Sequence, residues 1–196
     1  MSATDRLIKR IFDISLALIG LALTAPVILI AWIIASFETK SNGFFLQKRV
    51  GQNGKLFTII KIKTMYSNKG STVTTANDKR ITKSGRLFRK YKIDELPQLI
   101  NVLKGDMSFV GPRPDVPGYA DELKGEDRII LSIKPGITGP ATLKYKNEEE
   151  ILAKVKDPVK YNNEVIWPDK VRINKEYIKN WSLKKDIEYI LKTLRS

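Results

Sequence analysis

Residues 14–37 form an unbroken run of 24 uncharged positions, and this run limits what the chain can become more than any other feature. About 20 apolar residues of helix cross a bilayer core, so the run is long enough for a single-pass anchor. Pro26, however, stands at its middle. A proline inside a helix removes one hydrogen bond and clashes with the preceding turn. A bend is therefore expected at Ala25 and Pro26, leaving two halves of about 18 Å each. Neither half is long enough to cross alone. Both flanks are basic, with Arg6, Lys9 and Arg10 before the run and Lys40, Lys48, Arg49 and Lys55 after it. Such flanks favour the cytoplasmic side. A spanning helix satisfies one of them, whereas a bent helix that enters and leaves one leaflet satisfies both. A cleaved signal peptide fits poorly, because the run is too long and Pro26 follows Ala25 where a small-residue site is wanted. Thr24 is expected to help satisfy backbone groups freed at the bend. The expected organisation is a re-entrant membrane helix over 1–37 and one cytoplasmic domain over 38–196, with no repeat or linker.

The remaining composition narrows the chemistry. Lys and Arg outnumber Asp and Glu by 35 to 21, a net charge of +14. That excess calls for an anionic partner: nucleic acid, anionic lipid or a phosphorylated substrate. There is no cysteine and no histidine. Disulfides, thiolate zinc sites, imidazole metal sites and histidine-dependent triads are thereby excluded. Carboxylates, Lys, Tyr, Ser/Thr, Arg and a hard cation remain.

Gly51, Asn53 and Gly54 separate two β-prone runs, 44–50 and 55–63, which predicts a hairpin with most of its lysines on a solvated face. Phe44 and Phe45 beside Lys48 and Arg49 suit an interfacial position. The polar stretch 67–80 reads as a substrate-facing loop. Two helices are expected next. Ser84 would cap the first, and Asp94 the second, with Pro97 in its first turn and Gly105 at its end. The glycine and prolines of 106–117 argue against regular structure there, and residues 134–141 read as another rigid turn. Residues 118–132, 146–163 and 174–195 have helical character. The last carries Ile187, Ile190, Leu191 and Leu194 on one face, suited to the core or to lipid.

The densest chemistry lies between Arg89 and Pro114. An Asp ahead of a helix is ordinarily an N-cap, and Asp94 has that reading. Glu95 beside it adds a second carboxylate. Arg89 and Lys92 are close in sequence, and Arg113 is fixed between two prolines, free either to pair with Asp106 or Asp115 or to bind phosphate. Carboxylates with guanidinium groups suit the handling of a phosphate ester, with magnesium bridging the charges. A carboxylate can also attack phosphorus itself and needs no histidine base.

The run KIDELPQLINVLKGDMSFVGPRP resembles the signature of the bacterial sugar transferase family, the small monotopic polyprenyl-phosphate phosphoglycosyl transferases. Residues 5–15, 47–51, Lys61-x-Lys63-Thr64-Met65, residues 134–139, 169–171 and Asp186 extend the resemblance over essentially the whole chain. It implies an α+β, mainly helical fold: a re-entrant membrane helix, a small β-hairpin and amphipathic interfacial helices around a cytoplasmic catalytic domain. It implies transfer of a sugar-1-phosphate from a UDP-sugar to a membrane polyprenyl (undecaprenyl) phosphate, with release of UMP. Asp94 would be the nucleophile, Asp94 and Glu95 the magnesium-binding pair, and Lys61, Arg89 and Arg113 the groups near the phosphates. It further implies the inner (cytoplasmic) membrane, both termini on the cytoplasmic face, contact with lipid, and downstream glycosyltransferases that extend the product. Two departures stand out. Ala25 precedes the proline where many relatives have Ser, and Lys92 and Ile93 precede Asp94 where many have Ser or Thr. A nucleic-acid module is a poor alternative, since the basic charge is spread along the chain and no nucleic-acid motif occurs. In a non-catalytic scaffold Asp94 would only cap a helix, and the intact set of Asp94, Glu95 and Arg113 argues against that.

Overall fold

The computed structural model describes residues 1–66 and 78–195. The substrate-facing loop expected over 67–80 falls largely outside them. The architecture is mostly helical, with one long apolar N-terminal helix and two small two-stranded sheets.

Helix α1, Ala3–Thr39, starts on a reciprocal cap: the Ser2 hydroxyl accepts from the Asp5 N–H and the Asp5 carboxylate accepts from the Ser2 N–H. It stays helical through Pro26 and ends at Lys40 in the left-handed conformation. At 1.5 Å per residue it is about 55 Å long. Thr24 donates to the Gly20 carbonyl at 2.7 Å. The carbonyl that Pro26 deprives of its helical donor belongs to Ala22, so the Thr24 hydroxyl does not serve the proline as expected. Only 11% of the most apolar window is buried. Ala17, Ala31 and Ala35 form the buried side, while Leu18, Ile19, Leu23, Leu29 and Ile30 stand exposed. A soluble core helix would bury those large side chains, each worth about 1.5–3 kcal/mol. This face is built for an apolar medium.

Strands β1 (Phe44–Val50) and β2 (Leu56–Ile62) form the expected antiparallel hairpin, pairing Phe44 with Ile62 and Val50 with Leu56. Asn53 and Gly54 supply the positive φ of its turn. Helix α2, Lys83–Lys90, is capped by Thr82, whose hydroxyl accepts from the Gly85 N–H, not by Ser84. Ser84 lies one residue inside the helix and binds the Glu38 carboxylate through both its hydroxyl and its N–H, which ties α2 to the end of α1. Helix α3, Gln98–Lys104, begins after Pro97 and is closed by Gly105 at φ +88°.

Residues 106–117 are not wholly irregular. Strand β3, Ser108–Val110, pairs in parallel with β4, Gly136–Thr138. The glycines permit it: a Cβ on Gly136 would lie 2.1 Å from the Gly111 nitrogen. Residues 120–122 and 125–132 are 3₁₀ turns where α-helix was expected. Short helices α4 (Pro140–Lys144), α5 (Glu148–Ala153) and α6 (Pro158–Tyr161) follow. A π turn over Asn162–Ile166 then leads into α7, Trp167–Lys179, and the chain closes with α8, Leu183–Leu194. On α8, Ile190 packs against the core while Ile187, Leu191 and Leu194 stay exposed.

Three apolar clusters fix these pieces. One holds β3, α7 and the 3₁₀ turns together through Val110, Ile130, Leu131, Tyr177 and Ile178. The other two set α1 against β2, α2 and α3 through Ala17, Phe57, Val102 and Met107, and through Ile28, Ala35, Ile62 and Phe88. The long apolar helix α1 is thus also a wall of the domain.

Candidate active site

Lys92 adopts the left-handed conformation, φ +56°, and throws the chain into a single 3₁₀ turn, Ile93–Glu95. That turn separates the carboxylates from α3. Asp94 consequently makes no capping hydrogen bond, and Pro97 rather than Asp94 occupies the residue before the helix. The Asp94 side chain is buried, and its Oδ1 has no hydrogen-bond partner among the described residues. Burial and the adjacent Glu95 charge push its pKa up; Lys61, Arg89 and Lys92 pull the other way.

Glu95 points into a basic cradle. Its Oε1 accepts from Lys61 Nζ at 2.8 Å and from Arg113 at 3.2 Å. Burial alone would raise its pKa, but Arg113 and Lys61 outweigh burial and hold the carboxyl far below the usual range. Burial conversely lowers the pKa of Lys61, against the attraction of Glu95. Lys61 therefore does not belong to the solvated strand face, which explains why its strand position matters. Arg113 reaches Glu95, not Asp106 or Asp115, and its side chain is 49% exposed. Much of the guanidinium is thus free to meet a ligand. Arg89 donates from Nε to the Thr64 hydroxyl at 3.0 Å, which orients the rest of its fork. The expected residues Asp94, Glu95, Lys61 and Arg113 converge; Arg89 joins them through its charge on Asp94 and is anchored on Thr64.

Several groups were not foreseen. Arg49 donates to the Pro114 carbonyl and to Gln47, and the Val50 N–H binds the Asp115 carbonyl, so β1 braces the Arg113 loop from behind. Behind that loop, Lys170 pairs with Glu148 at 2.6 Å. Burial pushes the Asp115 carboxyl up to about 6 despite nearby Lys170, Arg49 and Arg113. Asp13 of α1 accepts from the Ser108 hydroxyl and the Phe109 N–H, gripping β3 just ahead of the same loop. Asp186 of α8 accepts from Lys9 at 2.5 Å, Tyr177 at 2.7 Å and Trp181 at 3.0 Å.

Among the described residues no group of three or more acidic side chains converges as a metal cage. A magnesium ion typically takes one or two carboxylates and completes its shell with substrate phosphates and water. The orphaned, buried Asp94 Oδ1 and its neighbour Glu95 fit that kind of site. Asp94 is the freer donor, because Glu95 Oε1 already serves Lys61 and Arg113.

With this geometry in place, comparison with known proteins is informative. The family model described as bacterial sugar transferase matches residues 4–196. An uncharacterized sugar transferase, EpsL, of Bacillus subtilis is 36% identical over 96% of this chain and 86% of its own length. A UDP-glucose:undecaprenyl-phosphate glucose-1-phosphate transferase of Caulobacter vibrioides is 36% identical over 96% of this chain and 68% of its own. A UDP-N-acetylgalactosamine-undecaprenyl-phosphate N-acetylgalactosaminephosphotransferase of Aeromonas hydrophila is 34% identical over 96% of this chain and 43% of its own.

Proposed function

The chain belongs to the bacterial sugar transferase family, and on that footing we propose that it moves a sugar-1-phosphate from a UDP-sugar to undecaprenyl phosphate. The observation that carries the residue assignment is the buried Asp94 oxygen that none of the described residues satisfies, set beside a basic cradle. In the first half-reaction an Asp94 oxygen attacks the β-phosphorus of the donor. The bond from that phosphorus to the bridging oxygen breaks, and UMP leaves with the electron pair. The phosphosugar is then an acyl phosphate on Asp94. In the second half-reaction an oxygen of the lipid phosphate attacks the same phosphorus, and the Asp94 carboxylate departs. The lipid phosphate is largely ionised near pH 7, so no histidine is required.

Lys61 and Arg113 hold Glu95 ionised and line the approach of the donor phosphates, with the free half of Arg113 and the outer fork of Arg89 as donors to phosphate oxygens. Magnesium would be held by Asp94 with Glu95 as the second carboxylate, and would neutralise charge on the phosphates. Residues 1–37 enter and leave one leaflet with Ala25 and Pro26 at the bend, and 38–196 is the catalytic domain on the cytoplasmic face of the inner membrane. The exposed Ile187, Leu191 and Leu194 of α8 rest at the interface. Glycosyltransferases acting on the lipid-linked sugar would follow.

Mass spectrometry of the intact protein after exposure to a UDP-sugar without acceptor tests the central step. A phosphosugar adduct mapping to Asp94, and absent from Asp94→Asn, is expected. UMP release by Asp94→Asn at the wild-type rate would remove Asp94 as nucleophile. A panel of UDP-sugars in the same assay identifies the sugar. Reporters fused to each terminus should both read the cytoplasmic side.

A further inference from the structure

At the foot of α1, four residues before the uncharged run begins, Arg10 donates to the carbonyls of Val102 and Leu103 at 2.6 and 2.8 Å. It closes the C-terminal end of α3 and is held rigidly there. Lys134, from the turn before β4, lies half-buried beside it and has no hydrogen bond or ion pair among the described residues. Both cations converge on one spot: Lys134 Nζ is 3.3 Å and an Arg10 terminal nitrogen 3.4 Å from where a Gly105 side chain would begin. A side chain at this position would crowd both groups, so the glycine is what lets two positive groups border one spot. The neighbouring carboxylates are engaged elsewhere. Asp13 serves Ser108 and Phe109, and Asp106 lies 3.7 Å from Lys104 and accepts weakly from Asn101. Burial, and then the charge of Arg10, lower the pKa of Lys134, against the attraction of Asp13 and Asp106.

We infer that Arg10 and Lys134 form a binding site, over Gly105, for the phosphate group of a lipid. Each Arg10 terminal nitrogen that binds a carbonyl keeps a second N–H, and the Lys134 ammonium has three donors to offer. A phosphate oxygen between them satisfies both and cancels their repulsion. Placement at the start of the apolar run puts the site at headgroup depth. The inference rests on α1 lying in a bilayer, not on the chemistry of Asp94. Two sources carry this phosphate: a phospholipid of the surrounding bilayer and the polyprenyl phosphate acceptor.

The test uses the full chain in nanodiscs containing phosphatidylglycerol, with retained lipid counted by native mass spectrometry. Lys134→Met keeps the buried methylenes and removes the charge. It should weaken retention at least about tenfold, Lys134→Arg should restore it, and the exposed control Lys104→Gln should leave it unchanged. If Lys134→Met melts early, Lys134→Gln is the second variant. A raised KM for polyprenyl phosphate in the charge-removing variant assigns the site to the acceptor. Lost phosphatidylglycerol retention with that KM held assigns it to bilayer phospholipid. Wild-type retention and wild-type KM in a variant that melts normally would overturn the inference. Lipid retention is read without turnover, so failure of the proposed reaction leaves this result interpretable.

Discussion

Two lysine–carboxylate contacts in this molecule have nearly the same length and opposite characters. Lys9 meets Asp186 at 2.5 Å in a fully enclosed setting, where Tyr177 and Trp181 supply further donors to the same carboxylate. Lys61 meets Glu95 at 2.8 Å in a less enclosed setting, where Arg113 is half exposed and the next carboxylate, Asp94, keeps an oxygen with no donor among the described residues. Burying a polar atom without a partner costs free energy. The first cluster avoids that cost and the second accepts it. Saturation makes the Asp186 network a structural lock. Incompleteness at the Asp94 cluster is what the proposed reaction would use, with a ligand completing the shell.

Substitutions can break this contrast at either end. Asp94→Asn should slow UMP release by at least about a thousandfold while leaving the melting temperature unchanged or higher. The sign follows from the raised pKa: the protonated form is favoured in the fold, so this contribution is present at low pH and lost as pH rises through the folded value. At neutral pH the ionised Asp94 is a cost that asparagine removes. Asp186→Ala should do the reverse, costing about 3–5 kcal/mol of stability by leaving Lys9 buried and uncompensated. The pair Lys9→Met with Asp186→Leu should recover only the part due to the stranded ammonium in the same denaturation series, because Tyr177 and Trp181 still lose their acceptor. Arg113→Lys should lower kcat/KM by about 10–100-fold, because an ammonium cannot span Glu95 and a phosphate as a planar fork does. The smallest effect concerns Asp115, pushed up to about 6 by burial. Its stabilising contribution is complete below pH ~4 and lost as the pH rises through about 6. Asp115→Asn should flatten the stability curve across that window.

What the sequence made legible was local. Gly51, Asn53 and Gly54 announced the hairpin, and at Asn53 and Gly54 its positive φ is written in residue type. Asp94, Glu95 and Arg113 were recognisable from their spacing and from family resemblance. Asp94 as a cap failed because Lys92, a residue with no preference for positive φ, turns left-handed and inserts a 3₁₀ turn before α3. Strands β3 and β4 are three residues each and pair across a long insertion, so no periodicity could reveal them. Lys9 and Arg10 looked like membrane-flanking charges, yet Lys9 is buried against Asp186 and Arg10 caps α3. Asp13 and Asp186 were legible only as positions that extend the family resemblance, with no role assigned. Their partners lie 95 and 177 residues away, and only tertiary structure brings those together.

That last separation bears on how the protein is made. Lys9 leaves the ribosome 177 residues ahead of Asp186. At about 5–20 residues per second the interval is roughly 10–35 s. Throughout it the apolar helix exists while the lock that fastens it to the domain does not. On the proposed membrane placement the nascent helix would meet the bilayer with Lys9 still hydrated, and the domain closes around that ammonium only when α8 arrives. A chain truncated before Asp186 would carry a membrane helix whose base cannot be sealed, a species suited to removal by quality-control proteases.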